Sequence, residues 1–174
     1  MHNVWMLKSH FPAVVDDVNV RLVAGSVLAI MLLMVATGQW WLFAPLAVDF
    51  LLRAILGPAS SPVSQFVTRV VRPRVRALPH PTAGTPKRFA ASIGAALTTA
   101  ATVLWVVGAT TGAAGATLAV YVIAGVMVVF PALESLLGLC VGCVLFSWLM
   151  RAGVVPESVC IECADITRRV RATA

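Results

Sequence analysis

The run ATLAVYVIAGVMVVFPALESLLGLCVGCVLFSWLM, residues 116–150, holds one carboxylate, Glu134, one proline, Pro131, and no lysine or arginine. As a helix rising about 1.5 Å per residue, it overshoots the ~30 Å hydrocarbon core of a bilayer. The rest of the chain is similar in kind. It is 60% hydrophobic and 11% charged, where a soluble domain carries about 25% charged residues. The mean hydropathy is +0.93. So little polar surface excludes a water-soluble fold and predicts an integral membrane protein. The segments are apolar on all sides, without the alternation of a lipid-facing β-barrel. Only helices then satisfy the backbone inside lipid, so the expected class is an all-α membrane bundle. The 174 residues suit a single domain.

Working outward from that run, Pro131 marks either a kink in one long helix or the meeting of two helices. Counting back, apolar stretches predict spans at about 20–37, 42–56 and 89–107. Residues 1–19 are mixed and suit the interface. Gly38-Gln39-Trp40-Trp41 reads as a turn whose tryptophans sit at the head groups, and Gly57-Pro58 as a helix stop. Residues 58–88 hold six prolines and read as an irregular connection with a short surface helix near Val63–Val71. Gly108–Gly115 reads as a hairpin turn. The last segment, 116–150, is expected as one long Pro-kinked span, which makes four in all. Val155-Pro156-Glu157 then opens a short tail helix over 156–171.

The net charge is +6, and much of it lies in Arg69, Arg72, Arg74, Arg76, Lys87 and Arg88. In a membrane protein such a cluster marks the cytoplasmic side and contacts anionic lipid head groups. No aromatic platform interleaves these residues, so nucleic acid is excluded. With four spans, the basic connection and both termini share the cytoplasmic face. Asp49 and Arg53, at i and i+4 on the second span, are expected to pair, either as a structural anchor or as a polar floor shared with Glu134. Glu134 lies just past Pro131 and is expected to pair with Arg53 or Arg151, or to relay protons.

All four cysteines fall in two C-x-x-C pairs, Cys140/Cys143 and Cys160/Cys163. By spacing alone this is a zinc-ribbon pattern. The first pair, however, is expected in mid-helix on the face opposite a Gly138/Gly142 ridge, where a four-thiolate zinc or iron cage would need unwinding. A dithiol/disulfide pair asks less geometry. Cytoplasmic placement also disfavours purely structural disulfides. No histidine lies in a span, since His2, His10 and His80 fall outside, so no haem or quinone site is expected.

The motifs Leu56-Gly57-Pro58-x-x-Ser61-Pro62, Pro86-Lys87-Arg88-Phe89-Ala90-x-x-Ile93-Gly94 and Ala132-Leu133-Glu134 precede the cysteines. With Gly138-Leu-Cys-Val-Gly-Cys143 and Gly153-Val-Val-Pro156-x-x-x-Cys160-x-x-Cys163, the chain resembles the bacterial membrane family catalogued as domain of unknown function 4395. The resemblance implies a small multi-helix protein of the bacterial inner membrane. Such proteins are often encoded beside thioredoxin-like and sulfurtransferase genes.

The expectation is therefore membrane thiol–disulfide or persulfide exchange. Cys140, Cys143, Cys160 and Cys163 would be the reacting groups, Glu134 an accessory, and a thioredoxin-like or rhodanese-like protein the partner. In outline a tail thiolate attacks the partner, its neighbour resolves the mixed species, and the membrane pair takes up the oxidation. No cofactor is expected. The alternatives are a zinc or iron site on the four cysteines, and a small transporter or scaffold using Asp49, Arg53 and Glu134. Association into a homo-oligomer is left open.

Overall fold

Helix α1 (Asp17–Thr37) follows a three-residue strand, β1 (Val14–Asp16), in a computed structural model that describes Pro12 and residues 14–154. Asp16 caps α1 by accepting from the Val18 amide, the usual role of an N-cap carboxylate. Gly38, at φ 68°, ends the helix. One tight turn, Trp40–Leu42, leads into α2 (Phe43–Leu56), and Gly57-Pro58 stops it. Ser61 and Pro62 then open α3 (Pro62–Phe66), which loosens into wide turns over Val67–Val71. Strand β2 (Pro81–Ala83) pairs antiparallel with β1, Val15 opposite Thr82. Two long helices follow, α4 (Gly84–Thr111) and α5 (Ala114–Ala132), joined through Gly112. Helix α6 (Val141–Arg151) closes the described chain.

The all-α class holds, apart from that six-residue ladder. Three segments are long and apolar enough to cross a membrane: Asp17–Thr37, Gly84–Thr111 and Ala114–Leu137. Helix α2, with 14 residues, spans only about 21 Å. Its length comes from Gly57, whose φ of 97° ends the helix there.

The expected single helix over 116–150 is corrected to two. Pro131 is buried within α5 and does not break it. The break comes after wide turns at Leu133–Leu137, where Gly138 adopts φ 70°. The Gly138 and Leu139 amides donate back to the Glu134 and Leu133 carbonyls, both at 3.1 Å, closing the end in the manner of a left-handed C-cap. The glycine ridge expected behind the cysteines is therefore absent. Gly138 lies in the turn, and Gly142 lies against Ala90 of α4.

Several contacts put the helix ends in register. Ladder pairing joins the starts of α1 and α4, and Arg88 Nε donates to the Ala54 carbonyl at 2.9 Å, bringing in the end of α2. At the far end, Trp40 meets Tyr121 of α5 edge-on at 4.8 Å. Helices α1, α2, α4 and α5 thus alternate in direction. Val27, Met31, Met34, Phe43, Leu46 and Met127 fill the space between them. Outward faces carry exposed Leu33, Val103, Leu118 and Val122, as a lipid-facing surface requires. Where lipid is as apolar as the core, close packing rather than water exclusion holds such helices together.

Candidate functional site

Two polar clusters meet at the end of the bundle where α1 and α4 begin. The first is built on Asp49, which is 3% exposed. One of its oxygens accepts from Arg53 Nη2 at 2.5 Å, and the other from Ser61 Oγ at 2.6 Å and the Val63 amide at 2.9 Å. Ser61 Oγ in turn accepts from the Ser64 amide at 3.1 Å. The Asp49–Arg53 pair expected from i, i+4 spacing is present, and its carboxylate also anchors the start of α3. Arg53 lies over the Phe50 ring, 4.9 Å from its centroid. Its Nε is buried without a hydrogen-bond partner.

The second cluster joins α1, α4 and the turn after α5. Lys87 Nζ donates to Glu134 Oε1 at 2.8 Å and approaches Asp17 Oδ1 at 3.4 Å. Asp17 also receives Arg21 Nε at 2.8 Å. This corrects two expectations. Glu134 pairs with Lys87, not with Arg53 or Arg151. Lys87, its side chain 9% exposed, points into the protein rather than to lipid head groups. The physical reason is its place in the first turn of α4, opposite the wide turn that presents Glu134.

The other basic residues divide in the same way. Arg72 is drawn to Asp16 at 3.0 Å, and Arg88 to the end of α2. Arg69, Arg74 and Arg76 are exposed and keep the head-group role open to them. Asp16 gathers the Val18 and His80 amides as well as Arg72. Partial burial opposes its ionisation, yet these donors outweigh it and hold the carboxyl below the usual range.

Cys140 and Cys143 do not lie in mid-helix. Cys140 is the N-cap of α6 and buried, Cys143 sits in the first turn, and both are free thiols. They are close enough to interact directly. Helix α6 is seated by Gly142, where an added Cβ would come within 2.5 Å of the Ala90 Cβ, and by Phe146, whose ring lies 5.6 Å from that of Phe89. Both contacts fall within the first two turns of α4.

A cavity of about 330 Å³ opens among α1, α2, α4, α5 and α6. Its walls are mainly apolar, with Val27, Phe50, Leu97 and Phe130 among them, and Arg53, Lys87, Glu134 and Cys140 reach it from the polar end. Among the described residues, no three histidine, cysteine or acidic side chains are grouped as metal ligands would be. Cys160, Cys163 and the expected tail helix lie outside the described residues.

The sequence profile described as a domain of unknown function, DUF4395, matches residues 15–151. The chain belongs to the DUF4395 family. No curated protein and no solved structure matches it. The DUF4395 match takes in Cys140, Cys143, Lys87 and Glu134 and ends before Cys160.

Sequence reasoning missed the inward Lys87, the Asp17–Arg21 extension and the Asp16 clamp. For Ser61 the signal was available. A serine followed by proline is an N-cap followed by an N1 residue, and Ser61 falls 12 residues after its partner Asp49. For Lys87 no local pattern points inward.

Proposed function

We propose that this protein exchanges electrons or sulfane sulfur through Cys140/Cys143, with Cys160/Cys163 relaying them between that pair and a thioredoxin-like or rhodanese-like partner at the cytoplasmic face. The observation that carries this reading is the position of the first pair. It starts a helix, its thiols are free and adjacent, and Cys140 opens onto a cavity beside Lys87. Contact with the Cys140 thiol, helped by the Lys87 ammonium, holds the Cys143 thiol below the usual thiol range. The same contact, burial and Glu134 push Cys140 up, so Cys143 supplies the thiolate, which is the reacting form. Exchange itself balances simply. One thiolate attacks a disulfide and displaces the other sulfur as thiolate, and the second cysteine then attacks the mixed disulfide and frees the partner.

Four crossings fit this chemistry best, by α1, α2, α4 and the segment ending at Leu137. The short α2 is supported by its packing on α4 and by the polar anchor at its end. Helix α6, short at 11 residues and seated on the first turns of α4 near the charged end, then leaves the tail pair on the side of the basic connection. Both termini are cytoplasmic in this arrangement, in a bacterial inner membrane.

A four-cysteine zinc or iron site is the competing reading, because a pair at the start of a helix no longer needs unwinding to bind metal. Thiol counting under reducing and oxidising conditions, with metal analysis of the same full-length protein, separates the two. The exchange reading expects reversible loss of four thiols as two pairs, reduced to one pair in Cys143→Ser. About one zinc or iron per chain, lost in Cys160→Ser, sinks it.

A further inference from the structure

Every charged group at the cavity edge is already neutralised. Arg53 has Asp49, Lys87 has Glu134 and Asp17, Arg21 has Asp17, and Arg72 has Asp16. An anionic head group placed there would bring an uncompensated charge into an apolar site, which is costly. Hydrogen-bonding capacity is another matter. Arg53 spends Nη2 on Asp49 and Ser61 and its Nε is buried, while Nη1 donates to no protein atom among the described residues. An Nη1 group with spare N–H donors and no spare charge suits a neutral oxygen acceptor. The apolar walls suit a hydrophobic body, and about 330 Å³ lies at the lower end of the ~300–1,000 Å³ typical of small-molecule sites. Cys140 lines the same cavity.

We propose that this cavity binds a membrane quinone, a carbonyl oxygen of its ring accepting from Arg53, and that the quinone is the electron acceptor for Cys140 and Cys143. The proposal rests on the thiol-exchange reading above and gives it a direction, from the partner through the tail pair to the quinone. In the step, the two thiols lose two protons and two electrons and form one S–S bond. The quinone gains both and becomes the quinol. The new disulfide then oxidises the tail pair by exchange. Histidine is not required at such a site, because the guanidinium provides the donors.

The test uses the full-length protein in lipid nanodiscs, with decylubiquinone as probe and laurate and dodecane as comparisons. Saturable binding of decylubiquinone is expected, with neither comparison competing at similar concentration. Arg53→Lys, which keeps the charge and removes Nη1, is expected to weaken binding at least about tenfold. Ala91→Leu, which fills the cavity wall without touching a charge, should weaken it to a similar extent. Cys143→Ser, outside the wall, should bind like wild type. Mixing reduced wild-type protein with decylubiquinone should convert one quinone to quinol for each pair of thiols lost. Laurate binding as tightly, or Ala91→Leu binding unchanged, overturns the site. Normal quinone binding without thiol loss instead overturns the electron transfer, leaving the site standing; the exchange reading beneath it falls only if thiol counting also shows no reversible loss of thiols in pairs.

Discussion

Asp49 uses both of its oxygens. It balances Arg53 inside the bundle and holds the first turn of α3 through Ser61 and Val63. Asp49→Asn keeps the shape and removes the charge, stranding a buried guanidinium, a loss of about 3–5 kcal/mol. Ser61→Ala removes the cap and the hydroxyl's bond to the Asp49 carboxylate, about 2 kcal/mol. Thermal unfolding in detergent should rank the two in that order, and equal losses would mean that the pair is not buried in the folded protein. Asp16 makes a pH-dependent contribution. Its folded-state pKa is held down, so its stabilisation is full above the unfolded value of about 3.9 and fades as pH falls through the folded value. The unfolding midpoint of wild type should drop in that acid range, and Asp16→Asn should flatten the drop. Of these two residues, the Asp49–Arg53 pair was legible in the sequence because i, i+4 spacing is local. The clamp on Asp16 was not, since His80 lies 64 residues away. Glu134 shows the same limit, its partner lying 47 residues back.

Among the elements, the apolar runs announced α1, α2, α4 and α5, and Gly57-Pro58 announced the stop of α2. What the sequence concealed was the break between α5 and α6. Glycine within an apolar run reads equally as a close-packing ridge or as a helix terminus, and only the partner surface decides between them. Here that surface is Arg21, whose guanidinium passes over Gly138 and occupies the place of a side chain. Pro131 misled in the opposite sense, because helix–helix packing accommodates its missing hydrogen bond. The ladder of β1 and β2 was invisible for another reason: three-residue strands carry no periodicity. Gly138→Ala should therefore act twice, through the positive φ and through collision with Arg21. A loss of roughly 1–3 kcal/mol is expected from the backbone alone, and α6 should be displaced from α4. Alkylation rates of Cys140 report that displacement. Faster reaction in Gly138→Ala is the expected result, and an unchanged rate would mean that Gly138 does not seat the cysteine pair.

At the scale of the whole molecule, the sorting of charge carries the argument. The Asp49, Glu134, Lys87 and Asp16 pairs all lie where α1 and α4 begin, together with the exposed Arg69, Arg74 and Arg76. The turns at residues 38–42 and 112–113 carry no charged residue. Cations collect on the cytoplasmic side of membrane proteins, so the proposed topology puts the charged end inside and the two turns outside. Cysteines introduced one at a time into a background with the native four replaced by serine can test this. In intact cells a membrane-impermeant maleimide should label Gln39→Cys and Ala113→Cys, and should reach Arg76→Cys and Gly153→Cys only after permeabilisation. Labelling of Arg76→Cys in intact cells would mean that the short α2 does not cross. Labelling of Gly153→Cys in intact cells would place α6 through the bilayer and move the tail cysteines to the far side. A cytoplasmic thiol partner could not reach them there, so this one position bears on the topology and the proposed chemistry together.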